Sequence, residues 1–210
     1  MSDAVLQKNL AVGATLKEGI AIGMKNIGPI LVNILLWGVT MWIPYLNVGT
    51  TIGLTVGIVS KASKGEIISM TEIFDPKYRR FMGEFFLTSG LIGIGVGIGM
   101  VFLVIPGIVI GLAWSLALLL VIDKGKNPSE ALTLSNNCTY GNKWKMFGIN
   151  FLICLALSIA IAIFVTIGAK SGNGGLMFFM GLLSVAALFF ATFIQIGVQA
   201  SIYRQLTGNV

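Results

Sequence analysis

Residues 147–169 read FGINFLICLALSIAIAIFVTIGA, a run of 23 without Asp, Glu, Lys, Arg or His, bracketed by Lys145 and Lys170. As a helix rising about 1.5 Å per residue it reaches about 34 Å, enough to cross roughly 30 Å of hydrocarbon. Working outward, five more apolar runs appear at 27–42, 45–60, 85–105, 106–122 and 176–202. All 14 Lys/Arg and all 8 Asp/Glu fall outside the six runs. A charge at the centre of a bilayer costs about 3 kcal/mol on insertion scales, so this placement says that the solvent is lipid. The chain is 56% hydrophobic and 10% charged, with no His and a mean hydropathy of +0.92. A buried helical core of a soluble protein would need polar outer faces at helical spacing, and these runs have none. The runs 27–42, 45–60 and 106–122 are short for spans.

Orientation follows from the bases in the short loops. Lys8, Lys17 and Lys25 precede the first run; Lys61, Lys64, Lys77, Arg79 and Arg80 follow the second. Lys124, Lys126, Lys143 and Lys145 follow the fourth, and Arg204 follows the sixth. Thirteen bases thus share one side, against Lys170 on the other. The expectation is a multi-pass protein of a prokaryotic plasma membrane with both termini cytoplasmic. No cleavable signal peptide is expected in residues 1–26, which carry charge and lack a compact apolar centre. The net charge of +6 is explained by this bias and by attraction to anionic lipid headgroups, so no nucleic-acid partner is expected. Cys138 falls in a cytoplasmic segment and Cys154 in a span, an arrangement that argues against a structural disulfide. The sequon Asn137-Cys138-Thr139 lies on the cytoplasmic side and is discounted.

The outside connections are minimal, at Ile43-Pro44, at Ile105-Pro106-Gly107 and at 170–175, whereas the inside ones are long and amphipathic. The fold expected is an all-α, six-span bundle of three hairpins with cytoplasmic interfacial helices, in one domain covering 1–210. A base three residues before a glycine opens each hairpin: Lys25-Asn26-Ile27-Gly28, Arg80-Phe81-Met82-Gly83 and Lys145-Met146-Phe147-Gly148. This suggests a repeat over 1–60, 61–122 and 123–210, although any interfacial helix start converges on such residues. Asn127-Pro128-Ser129-Glu130 predicts a helix start, with a stop near Gly141-Asn142. Residues 66–83 look similar but are interrupted at Asp75-Pro76. Residues 3–26 carry Leu6, Leu10, Leu16 and Ile20 in a helix expected to be weakened by its glycines. Anchorage in the membrane plane is the simplest role for all three.

Within 128–148, Pro128, Glu130-Ala131-Leu132, Ser135 and Gly141-Asn142-Lys143-Trp144-Lys145, with Phe147-Gly148 opening a span, resemble a group of uncharacterised bacterial integral membrane proteins. The pattern is similar to that of the membrane domain attached to some glycerophosphodiester phosphodiesterases. Those enzymes keep their catalytic His and acidic metal ligands in a separate soluble domain. This chain has no His, so the resemblance implies an architecture and no activity.

Small residues recur at every fourth position on three runs: Gly49, Gly53 and Gly57; Ser89, Gly93 and Gly97, beside Gly95 and Gly99; Gly107, Gly111 and Ser115. Such stripes let helix backbones approach closely, within one chain or between copies. The glycines at 93–99 lack the Lys-Ser/Thr of a phosphate loop, and Thr55-Val56-Gly57 lacks the Tyr-Gly of a potassium filter. The absence of His excludes a His-based triad and histidine metal ligation, and no cofactor is expected. Glu84 and Asp123 read as boundary charges paired with Arg80 and Lys124. The polar residues within the runs include Asn33, Asn150, Thr192, Gln195 and Gln199; Ser184, Thr192, Gln195 and Gln199 share roughly one helix face. That face either lines a path or bonds across the bundle.

Three functions stand as expectations. The first is a non-enzymatic scaffold or accessory subunit, whose partners are the lipid bilayer and membrane proteins or further copies of the chain. The second is a small permease or channel built on Gln195, Gln199, Asn33 and Asn150. The third is a lipid-headgroup enzyme using Glu72, Asp75 and Arg79/Arg80.

Overall fold

The apolar runs fold as helices because each backbone N–H and C=O must be satisfied within its own segment where no water is present. A computed structural model describes residues 9–208; Asp3, Leu6 and Lys8 lie outside the described residues. Helix α1 (Val12–Lys25) is separated from α2 (Ile27–Thr40) by Asn26, and the two axes bend by 68°. Pro44 opens α3 (Pro44–Ile52), where its missing N–H costs nothing. The chain continues through a π-helical turn (Gly53–Gly57) into α4 (Ile58–Lys64), which ends at Gly65 with φ +72°. A 3-10 turn (Glu72–Phe74) and the short α5 (Lys77–Arg80) precede α6 (Met82–Phe102). After extended Leu103 come α7 (Val104–Trp114) and α8 (Ala117–Lys124), then α9 (Pro128–Thr139), α10 (Lys143–Lys170) and α11 (Gly174–Thr207). No strand occurs among the described residues.

Among the described residues, four helices are long and apolar enough to cross a membrane: Met82–Phe102, Val104–Lys124, Lys143–Lys170 and Gly174–Thr207. The bent pair α1–α2 makes a fifth if it counts as one broken span. The six runs are therefore not equivalent. The first gives only the 14 residues of α2, about 21 Å at about 1.5 Å per residue. The second is interrupted by the π-helical turn at Gly53–Gly57, where glycine is a poor helix former. The third base–glycine motif, Lys145 to Gly148, lies within the unbroken α10, whereas helix breaks precede α2 at Asn26 and α6 at Phe81.

Helix α9 begins where its sequence says it should. Asn127 Oδ1 accepts the Glu130 N–H at 2.9 Å, Pro128 occupies the first turn, and Gly141 at φ +77° turns the chain towards α10. Its Ser135 repairs the break between α7 and α8. The hydroxyl donates to Ala113 O (2.7 Å) and accepts from Leu116 N–H (3.2 Å), two groups that the interrupted helix leaves over.

The buried core lies at one end of the bundle, the end rich in bases. Ile30, Ile52, Ile58, Leu116, Leu120, Met146, Ile149, Val198 and Ile202 are fully buried there. Beyond it the long helices stand nearly bare. Only 6% of the apolar stretch of α10 and of α11 is buried, and 11% of that of α6, against 39% for Val104–Lys124.

Backbone proximity concentrates where α1 crosses α11. A Cβ on Gly19 would come within 2.7 Å of Val198 Cα, and one on Gly197 within 2.7 Å of Gly23 N. Gly23 is equally closed by the carbonyl of Phe193. Of the expected stripes, Gly107 meets Gly99 and Met100, and Gly111 meets Val96. A Cβ on Gly93 or Gly97 would meet nothing within 4 Å, and within the chain the contacts of α6 run through Gly95, against the Trp114 ring, and Gly99. A two-residue shift rotates a helix by about 200°, so these two pairs face opposite sides. Gly49, Gly53 and Gly57 are met most closely by the Arg79 stem, Ile73 and the Tyr78 ring of the segment after α4.

Candidate functional site

The polar groups that converge most closely belong to the hydrophilic segment after α4. Asn33, fully buried in α2, anchors it: Nδ2 donates to Ser69 O (2.8 Å) and Oδ1 accepts from Ile73 N–H (3.1 Å). That anchor carries Glu72 inward until it is 3% exposed. Its carboxylate accepts from Lys61 Nζ (2.8 Å), Lys77 Nζ (3.3 Å) and the Tyr78 hydroxyl (2.6 Å). Lys77 also pairs with Asp75 (2.8 Å) and lies over the Tyr78 ring. A second buried acid, Asp123 of α8, accepts from Ser60 (2.6 Å), from Tyr203 of α11 (2.9 Å) and from Lys64. A cavity of about 190 Å³ lies between these groups, lined by Ser60, Lys61, Lys64, Lys77, Tyr78 and Asp123 among others.

The electrostatics locks these charges. Burial pushes the Glu72 carboxyl up, but hydrogen bonds from Lys61, Tyr78 and Lys77 outweigh it and hold the group below its usual range. Burial likewise opposes the charged forms of Asp75 and Lys77, and their mutual pairing reverses both shifts, lowering the acid and raising the base. Burial, then Glu72, drives the Tyr78 phenol upward, so it donates and does not ionise. General acid–base catalysis works best with a group that titrates near the operating pH, and all four of these move away from neutrality. The arrangement acts as a clamp between α4, the 66–80 segment and α8. The described residues hold no cluster of three or more metal-ligating side chains.

The polar residues read from the sequence separate into two places. Gln195 Nε2 donates to Asn150 Oδ1 at 2.7 Å, and Asn150 Nδ2 donates back to Met146 O at 2.8 Å. Thr192 and Ser184 bond to carbonyls of their own helix, Leu188 and Met180. Gln199 is half-buried beside them. Asn33 does not join this group, being committed to Ser69 and Ile73. The boundary pairs also differ from expectation. Asp123 pairs with Lys64, across the helix contact, and not with its neighbour Lys124. Glu84 forms no ion pair among the described residues; it begins α6, where an acid suits the helix dipole.

Two features escaped the sequence reading. Gly19-Ile20-Ala21-Ile22-Gly23 is a small-xxx-small stripe like the others, passed over because it lies between charges in a segment read as interfacial. Glu18, beside it, pairs with Arg204 and accepts from Ser201 (2.7 Å) and Gln205 (3.2 Å) of α11. The second is Ser135, whose partners are distant in sequence and leave no local signal.

Comparison with protein-family models, curated proteins and solved structures finds no match for this chain.

Proposed function

We propose that this chain is a non-enzymatic multi-pass membrane protein serving as a scaffold or accessory subunit. Its six apolar segments pair as three hairpins, and both termini face the cytoplasm of a prokaryotic cell. The observation that carries this reading is the bareness of the hairpins: Leu155, Ile159, Ile163, Phe178, Leu182 and Leu188 all stay exposed on α10 and α11. Between α1, α10 and α11 an open apolar groove of about 360 Å³ is lined by Ala156 and Ala160 on one helix and Ala187 and Ala191 on the other. Small residues four apart on two facing helices favour close approach of a third helix. The likeness of residues 128–148 to uncharacterised bacterial membrane proteins supports the same layout, without an activity. The pairing of Gln195 with Asn150 and the locked charges around Glu72 favour this reading over a permease or a headgroup enzyme.

The test is photocrosslinking in native membranes, with a crosslinking residue at Ala160 or Ala187 and affinity purification of the product. A discrete protein adduct, from another chain or a second copy, is the expected result. Adducts with lipid alone, together with a solute flux abolished by Gln195→Ala, would replace the scaffold by a permease. Orientation is tested at Ser171 by Ser171→Cys, which should react with an impermeant thiol reagent from outside the cell.

A further inference from the structure

We propose that the first hairpin, α2 with α3, is re-entrant: its tip wedges among the acyl chains of the cytoplasmic leaflet and returns without reaching the far side. This rests on the orientation proposed above and assigns a lipid-facing surface that the scaffold reading does not use.

The hydrophilic 66–80 segment does not leave the hairpin; it lies along its flank. It is bonded to Asn33, which stands about 12 Å short of the turn at about 1.5 Å per residue. Ile73 and Tyr78 fill the grooves at Gly53 and Gly57, and the Arg79 stem crosses Gly49, about 8 Å from the turn. Were Ile43 at the far surface, Asp75, Lys77, Arg79 and Arg80 would be carried into hydrocarbon, which rejects such charges. The contacts at Asn33 and Gly49 therefore mark the water boundary on this hairpin.

Apolar exposure begins where that segment stops. Val39 is 75% exposed, Trp42 84% and Tyr45 67%, with Leu35, Met41 and Ile43 beside them. The bare tip is thus about 8–12 Å tall, less than the roughly 15 Å of one leaflet, half of about 30 Å. Inside the hairpin the polar groups satisfy one another, as lipid demands: Trp37 Nε1 donates to Thr51 Oγ1 (2.9 Å), and Thr51 donates to Asn47 Oδ1 (3.0 Å). A re-entrant path also returns the chain to its starting side, so the thirteen bases stay together.

The experiment compares Ile43→Cys with Ser171→Cys in the full chain, in membranes, with Cys138 and Cys154 replaced by Ala. From whichever face an impermeant maleimide modifies Ser171→Cys, Ile43→Cys should react at least about tenfold more slowly, since a thiol within lipid meets little aqueous reagent. A bimane attached at Ile43→Cys should be quenched more by nitroxides towards the chain ends than by nitroxides at the headgroups, since the tip stands about 8–12 Å into a leaflet of about 15 Å. Equal labelling of the two positions from one face overturns the proposal, as does strongest quenching by nitroxides at the headgroups. Labelling of Ser171→Cys from the cytoplasm would refute the orientation above instead; whether the two positions share a face would still decide the hairpin's path.

Discussion

Glu72 shows what a buried charge in this chain is for. Three donors from two segments meet its carboxylate, and its folded pKa falls below the ordinary 4.5 because those bonds outweigh burial. A depressed acid adds stability that is complete above its unfolded pKa and disappears as pH drops through the folded one. Thermal unfolding in detergent should therefore be insensitive to this group from neutrality down to the usual carboxylate range, then weaken as acid is added. Glu72→Gln should lose about 1–3 kcal/mol at neutral pH, the cost of leaving buried partners poorly satisfied. It should also flatten the acid side of the profile. A wild-type profile that keeps its acid slope in Glu72→Gln would show that the clamp does not hold the 66–80 segment.

Among the helices the decisive contact is α1 on α11, where backbone meets backbone at Gly19, Gly23 and Gly197. Gly197→Ala places a methyl against the α1 main chain, which no rotamer change relieves, and overpacking of this kind costs about 1–3 kcal/mol. Gly97→Ala adds the same methyl to open space and should be neutral or stabilising by about 0.5–1 kcal/mol, since alanine restrains the helix better. Unfolding of the two variants in one detergent checks this, and equal effects would remove the contact as a determinant. The same helices show what the sequence discloses. Runs such as 147–169 are legible because charge exclusion needs no knowledge of neighbours, and α9 because its cap, proline and glycine are all local. The face by which α6 packs within the chain was not legible, because six closely spaced small residues from Ser89 to Gly99 leave that choice to the partner, which is Trp114 on α7. Glu72 was visible as an acid, but its burial was not, because that depends on Asn33 reaching a loop nearly forty residues away.

At the scale of the molecule, burial is divided along the length of the long helices. Phe193, Val198 and Ile202 of α11 belong to the core, while Met177, Phe178, Leu182, Val185, Leu188 and Phe190 of the same helix stay exposed. A uniformly packed six-helix bundle would instead bury an inward stripe along the whole of each span. The division predicts that one substitution has two outcomes according to depth. Leu120→Ala empties a fully buried site on α8 and should cost about 2–5 kcal/mol, the range for large-to-small changes in a core. Leu155→Ala removes the same atoms from a side chain 43% exposed on α10 and should change stability in detergent by no more than about 0.5 kcal/mol. Unfolding of the purified variants measures both, and a loss at Leu155 approaching that at Leu120 would mean that Leu155 is packed within the fold after all. If the bare face meets another protein, Leu155→Ala should still weaken recovery of the crosslinked complex while leaving the melting temperature in place. A side chain that is dispensable for folding and necessary for association is what a scaffold requires of its exposed helices, and a chain whose outer face met only lipid would lose neither property.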